Sequence, residues 1–167
     1  MKDKHKAYVL LSGGQDSFVC LIWALQNFAT VETLSIAYQQ KHNKEIEFAK
    51  KISEHFQVPH HVYDIGNFLN SIANSSLLGN ETKSHKEAHA QNKKLPASFV
   101  PNRNGLFLTL IANHAYKNNE QNIHLVIGTS ETDYSGYPDC RDAYIKAKAV
   151  ELSLGLDCLV SIHTPLM

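Results

Sequence analysis

The chain has 167 residues, of which 43% are hydrophobic and 19% charged, which is enough for one domain with a proper core and too few for two. Sixteen basic and sixteen acidic side chains cancel, so no global positive field draws the chain to nucleic acid, and no apolar run is long enough to cross a bilayer. Three cysteines, Cys20, Cys140 and Cys158, stand without CxxC spacing. That pattern argues against a disulfide framework and against a zinc site within the chain, and a reducing, cytoplasmic compartment without a signal peptide is expected.

Residues 7–11, Ala-Tyr-Val-Leu-Leu, read as a short buried strand, and residues 18–25 as the body of a buried helix. Between them lies Ser12-Gly13-Gly14-Gln15-Asp16-Ser17. A strand–turn–helix junction aims backbone N–H groups and the positive end of the helix at one point, two glycines let the backbone approach a ligand, and two serines add hydroxyls. Phosphate or pyrophosphate suits such a cradle, although neither GxxxxGK[ST] nor GxGxxG is present. The plainer alternative is a tight turn with Asp16 or Ser17 as helix cap. Asp16 repels phosphate, so it either caps the helix facing away or holds a bridging divalent cation.

Strand and helix signals then alternate. Residues 33–38 read as a second strand. Ile46, Ala49, Ile52 and Phe56 form one stripe of a helix over 43–56, and residues 60–65 read as a third strand after Pro59. Residues 80–94 are polar and read as a mobile loop. An apolar helix over 106–116, a strand over 123–127, an amphipathic helix over 141–154 stopped by Gly155, and a strand over 158–162 complete the pattern. Repeated βα units of this length predict an α/β fold with a doubly wound, mostly five-stranded parallel sheet and helices on both faces. Ligands of such sheets sit beyond the C-terminal strand ends. There the chain supplies residues 12–17, Gln39-Gln40-Lys41-His42, the run from Gly128 to Asp133, and His163-Thr164-Pro165.

Two further segments carry chemistry. Asp133-Tyr134-Ser135-Gly136-Tyr137-Pro138-Asp139-Cys140-Arg141-Asp142 brings acids, tyrosines, an arginine and a cysteine into one turn, with Asp139 or Cys140 opening the next helix. Aromatic faces beside carboxylates suit a flat, hydrogen-bonding heterocycle; a rigid loop with capping acids is the alternative. Cys140 reads either as a nucleophile or as a small half-buried residue. In Val100-Pro101-Asn102-Arg103-Asn104, Arg103 sits near a helix start, where anion binding is favoured. Fourteen of the sixteen basic residues are lysines, which sets Arg103 and Arg141 apart as recognition forks or structural ion pairs. The ten histidines fall mostly in loops, and His60-His61 lacks a third partner at metal spacing, so no metal ligands are assigned.

Together these segments, with His163-Thr164-Pro165-Leu166-Met167, resemble the 7-cyano-7-deazaguanine synthases, members of the SGGxDS-containing PP-loop ATP pyrophosphatase superfamily with its adenine nucleotide alpha hydrolase-like fold. The SGGxDS element marks only the superfamily; residues 133–141 point at the synthase. The resemblance implies ATP-dependent conversion of 7-carboxy-7-deazaguanine and ammonia to the nitrile in queuosine precursor synthesis, with Mg²⁺ as cofactor and without direct contact to nucleic acid or membrane. Adenylation turns a carboxylate oxygen into a leaving group, ammonia displaces it to give an amide, and a second activation removes the remaining oxygen.

The resemblance places ATP on Leu11, Ser12, Gly13, Gly14, Gln15, Asp16, Ser17, Phe18, Val19, Cys20 and Leu21. It puts the deazaguanine on Asp133, Tyr137 and Asp139, and assigns catalysis to Asp16, Arg103 and Arg141; loss of Arg141 is expected to cut turnover more than tenfold.

Two departures stand out. The family pattern carries glycine where Asn102 stands, and asparagine tolerates positive φ well enough to keep that turn. Family members also continue past the HTPL segment into four clustered cysteines that bind Zn²⁺. The three cysteines here do not match them, so the chain is expected to be a single domain truncated at its C-terminus, with homodimer formation and activity depending on the remainder. The competing expectations are a non-catalytic nucleotide-binding remnant and another PP-loop amide-forming ligase. A tRNA thiolase fits less well, because the neutral charge balance supplies no basic RNA-binding face.

Overall fold

A computed structural model describes residues 2–38, 43–72, 99–130 and 137–167. The polar run 80–94, residues 39–42 and Asp133 lie outside the described residues.

Five strands form one sheet: β1 (Asp3–Leu10), β2 (Phe28–Ala37), β3 (His60–Asp64), β4 (Asn122–Val126) and β5 (Leu159–His163). Their order is β3-β2-β1-β4-β5 and every pairing is parallel. The α-helices among the described residues are α1 (Gln15–Asn27), α2 (Asn43–His55), α3 (Gly66–Ile72), α4 (Arg103–Lys117) and α5 (Asp142–Leu156). This is the doubly wound α/β architecture expected from the alternating pattern.

Alternation along β1 sets the two faces, because successive side chains point to opposite sides. Ala7 and Val9 pack with Cys20, Leu21 and Ala24 of α1 and Ala49 of α2. Tyr8 packs on the other face with Leu108, Ile111 and Ala115 of α4 and Ile145 and Leu152 of α5. A smaller cluster joins Ile36, Leu69 of α3, Val100 and Phe107 near the C-terminal end of the sheet.

The chain runs outward from β1 to β3, then returns to the other side of β1 to make β4. The two halves therefore diverge between β1 and β4, and the crevice at their C-terminal ends is where ligands bind in such sheets.

Several local expectations need correction. Strand β1 begins at Asp3, and β2 at Phe28 directly from the end of α1, where the Phe28 N–H bonds the Ala24 carbonyl. The cap of α1 is Gly14 in extended conformation, not Asp16 or Ser17, both of which lie inside the first turn. Helix α3, which the alternating pattern did not anticipate, places Leu69 in the core, and α4 starts at Arg103, one turn earlier than its apolar body. Asp139 and Cys140 form a separate 3₁₀ turn (Pro138–Cys140), and α5 opens at Asp142 behind Arg141. Gly155 stays inside α5, and Asp157 takes the left-handed conformation at φ 50° that ends it. Aspartate tolerates that region through local hydrogen bonding, which is why the glycine misleads.

Candidate functional site

A cavity of about 520 Å³ opens at the C-terminal ends of β1, β2 and β4. Its floor is Leu10, Leu11, Ser35, Ile36 and Ile127; its walls come from Ser12 and Gly14–Ser17, from Glu45 and Ile46, and from Arg103, Asn104 and Phe107. Tyr38, Gly128, Thr129, Tyr137 and Cys140 complete the rim. The beginnings of three helices, α1, α2 and α4, thus line one space, each contributing the positive end of its dipole.

The loop after β1 is held in shape by its own side chains. The Ser17 hydroxyl donates to the Gly14 carbonyl at 2.9 Å, and the Ser12 hydroxyl donates to Ser17 Oγ at 3.1 Å. Backbone N–H groups of Ser12 and Gly14 donate to Ser17 Oγ and Ser12 Oγ, both at 3.2 Å. Both hydroxyl protons are therefore engaged within the loop. No side chain caps α1, so the amides of its first turn, which have no partner inside the helix, remain as donors for an anion. The serines shape the cradle and the backbone supplies it.

Two glycines let that loop sit where it does. Gly13 has φ 86°, and a Cβ there would lie 2.2 Å from the Glu45 carbonyl oxygen of α2. A Cβ on Gly128 would lie 3.2 Å from the Asp16 carbonyl carbon and the Ser17 nitrogen, so the chain just after β4 packs directly on the first turn of α1. These backbone contacts fix the loop between α2 and the end of β4 at the edge of the cavity.

Across the cavity, Asn102 adopts φ 56° and ψ 29°, the left-handed turn expected from the asparagine that replaces the family glycine. Its side-chain oxygen accepts from the Tyr144 hydroxyl. Burial pushes the Tyr144 hydroxyl pKa up to about 12, with the Asp139 charge adding to it, so the phenol stays a donor. Arg103 follows in the first turn of α4 and lines the cavity, its guanidinium carbon 6.0 Å from the centroid of Phe107. Phe107 also packs at 5.5 Å against Tyr38, which makes an aromatic wall beneath the arginine.

The residues expected to bind nucleotide divide cleanly. Leu11, Ser12, Gly14, Gln15, Asp16 and Ser17 line the cavity, and Gly13 positions the loop against α2. Phe18 and Val19 are exposed on α1 away from it, while Cys20 and Leu21 are fully buried in the core. Helical periodicity explains this, since beyond the first turn the α1 residues point to the sheet or to solvent. Burial, reinforced by the Asp16 charge, pushes the Cys20 thiol up to about 11, so it is an inert core residue.

Of the expected substrate residues, Tyr137 lines the cavity. Asp139 is buried and its Oδ2 accepts the Asn104 backbone N–H at 2.9 Å, so one carboxylate oxygen caps the start of α4 instead of facing a ligand. Arg141 is exposed at the cap of α5 and does not line the cavity. Cys140 is buried and its sulfur accepts from Asn104 Nδ2 at 3.2 Å. Ser35, Glu45 and Phe107 are cavity residues that sequence reasoning missed. Phe107, one turn after Arg103 on the same helix face, carried the one usable signal.

The three cysteines lie apart. Cys20 is in the core beneath α1, Cys140 is at the 3₁₀ turn, and Cys158 precedes β5. Among the described residues no cysteine joins a group able to hold a metal, so the residues of this chain do not fit the family's zinc site. No helix among the described residues is long and apolar enough to cross a membrane.

A parallel sheet in this order, with a glycine-rich SGGxDS loop feeding α1 at its switch point, defines a PP-loop nucleotide-binding domain of the ATP pyrophosphatase class. Comparison with solved structures supports the same fold. A predicted subunit of tRNA methyltransferase from Methanocaldococcus jannaschii superposes with TM-score 0.59 at 20% identity, over 97% of this chain and 68% of that one. The U34-tRNA thiolase NcsA from Methanococcus maripaludis superposes with TM-score 0.51 at 18% identity, over 99% of this chain and 53% of that one.

Within that class, the family model for queuosine biosynthesis protein QueC matches residues 6–167. The chain is 43% identical over 164 residues to the 7-cyano-7-deazaguanine synthase of Bacillus subtilis, covering 98% of this chain and 72% of that protein. It is 45% identical over 161 residues to the synthase of Bacteroides fragilis, covering 96% and 71%. The chain belongs to the QueC family.

Proposed function

We propose that this protein converts 7-carboxy-7-deazaguanine and ammonia to 7-cyano-7-deazaguanine at the expense of ATP, in the cytoplasm, without contacting nucleic acid. Family membership supports the reaction, and one structural observation supports its location: the uncapped N-terminus of α1 and the Arg103 guanidinium face the same cavity.

In this reading the triphosphate lies along Ser12–Ser17, with the first-turn amides of α1 on the phosphates that leave as pyrophosphate. Asp16 lines the cavity beside that turn, and with Glu45 it offers the hard oxygen atoms that Mg²⁺ prefers. Magnesium, when bound, shares the negative charge of the phosphates. Arg103 neutralises charge on the phosphoryl oxygens as the substrate carboxylate displaces pyrophosphate to form the acyl adenylate. Ammonia then attacks the acyl carbon, AMP leaves and a proton is lost, giving the amide. A second adenylation, on the amide oxygen, and loss of AMP with the nitrogen protons gives the nitrile.

Tyr137 and the Tyr38–Phe107 wall supply aromatic surface for the flat heterocycle. Asp133, which falls outside the described residues, and the second oxygen of Asp139 are the carboxylates assigned to its N–H edge.

Mass spectrometry of the chain with 7-carboxy-7-deazaguanine, ammonium, Mg²⁺ and ATP tests the proposal. The expected products are the nitrile, AMP and pyrophosphate. A folded chain that binds ATP calorimetrically but yields neither amide nor nitrile would identify a non-catalytic remnant. Formation of the amide alone would identify an amide-forming ligase.

A further inference from the structure

At the end of the sheet away from the cavity, three side chains from three elements bring their polar atoms together. Glu32 of β2 is 5% exposed. Its Oε1 lies 2.7 Å from Nε2 of His61 on β3 and 2.8 Å from Nε2 of His114 in the last turn of α4. Lys6 Nζ is 3.3 Å from the other oxygen, Oε2. His114 is roughly 16 Å along the helix axis from Arg103, so the cluster is distinct from the nucleotide cavity.

We propose that Glu32, His61 and His114 form a binding site for one divalent transition-metal ion of the zinc class, tying the end of α4 to β2 and β3. Two imidazole nitrogens and one carboxylate oxygen are the donor set of open zinc sites. The three atoms sit 2.7–2.8 Å apart along the two hydrogen bonds, and ligands of a tetrahedral ion with bonds near 2.05 Å stand about 3.3 Å apart. A widening of about half an ångström along each contact admits the ion.

The surroundings favour it. The Lys6 ammonium beside Oε2 and the two imidazoles at Oε1 surround the carboxylate on both of its oxygens.

His114 Nδ1 is 2.6 Å from the Tyr63 hydroxyl, a partner behind the ligand that fixes the ring. That hydroxyl accepts as readily as it donates, so His114 can place its proton on Nδ1 and turn Nε2 to a metal. Lys6 has a second carboxylate, Glu120, at 3.8 Å, to take its charge when the ion arrives. The side chain of His61 is 43% exposed, against 8% for His114 and 7% for Glu32, so entry and a fourth, water-filled position lie on its side.

The other carboxylate–histidine group among the described residues, Asp3, His5 and His124, is weaker as a site, because the Asp3 side chain is 40% exposed against 7% for Glu32 and His124 Nδ1 is 3.1 Å from His163 Nε2.

The test is titration of the chelator-treated full chain with Co²⁺ alone, followed in the visible spectrum, with Zn²⁺ competition and thermal melting alongside. One equivalent of Co²⁺ should give the ligand-field bands of a nitrogen–oxygen site without a thiolate charge-transfer band. Zn²⁺ should displace it and raise the melting temperature. His61→Gln, at a partly exposed position that keeps bulk and a hydrogen bond to Glu32, should lower affinity at least a hundredfold while the metal-free melting temperature moves by no more than about 3 °C. Tyr63→Phe should weaken binding roughly tenfold or more through the lost outer contact. Absence of a stoichiometric spectrum, a thiolate band, or unchanged affinity in His61→Gln would each overturn the site.

Discussion

The two ends of the parallel sheet are built on opposite principles. At the C-terminal end, small residues, two glycines and three helix starts leave backbone amides facing a cavity. At the other end, titratable side chains face one another: Glu32 with His61, His114 and Lys6, and Asp3 with His5. The first end has donors waiting for an anion from outside, and the second gathers opposite charges from neighbouring elements. Binding energy for a nucleotide comes from donors already ordered, so the C-terminal rim is the end suited to the proposed reaction.

Substitutions can break that contrast. The largest effect is expected from Gly13→Ala, which adds a Cβ against the Glu45 carbonyl at a positive φ and should cost about 3 kcal/mol or more in urea denaturation, together with loss of ATP binding. A change below 0.5 kcal/mol (roughly the scatter for neutral surface sites) would mean that the loop does not pack on α2.

Next comes Arg103→Ala, which should lower kcat/KM more than tenfold with little change in melting temperature, whereas Arg141→Ala, off the cavity, should cost less. The reverse ranking in steady-state kinetics would transfer the charge-stabilising role from Arg103 to Arg141. Asp139→Ala removes the cap on Asn104 and should destabilise by about 1–2 kcal/mol at the urea midpoint.

Buried histidines along the sheet sharpen the comparison through pH. Burial lowers the pKa of His60, His124 and His163, and a neighbouring histidine adds to it in each case. Each is thus more readily protonated in the unfolded chain. Stability from these three is complete above the unfolded histidine pKa, near 6.5, and is lost as pH falls below it toward the folded values. Urea midpoints should decline from pH 7.5 to about 5.5, and His163→Asn should flatten the decline. The smallest effect is expected for Asn102→Gly. Relief of the left-handed asparagine offsets loss of the Tyr144 hydrogen bond, leaving stability within about 1 kcal/mol by the same assay.

Much of the nucleotide end was legible from residue order. The Ser12–Ser17 loop, the strand ahead of it and Arg103 at a helix start are contiguous signals, and local chemistry makes them readable. The left-handed turn at Asn102 was legible for the same reason. What was not legible is which way side chains point once a helix is under way, as with Cys20 and Leu21 in the core, or that Asp139 spends an oxygen on Asn104 from a distant element.

The amino-acid order alone determined the alternating βα units, the phosphate-type loop and the family, because these rest on short-range periodicity and on motifs a few residues long. Tertiary structure decided the rest. It set Phe107 and Tyr38 beneath Arg103, turned Arg141 away from the cavity, and gathered Glu32, His61 and His114 from β2, β3 and α4. Sheet order and helix packing bring together residues far apart in the chain, and no local pattern encodes such a meeting.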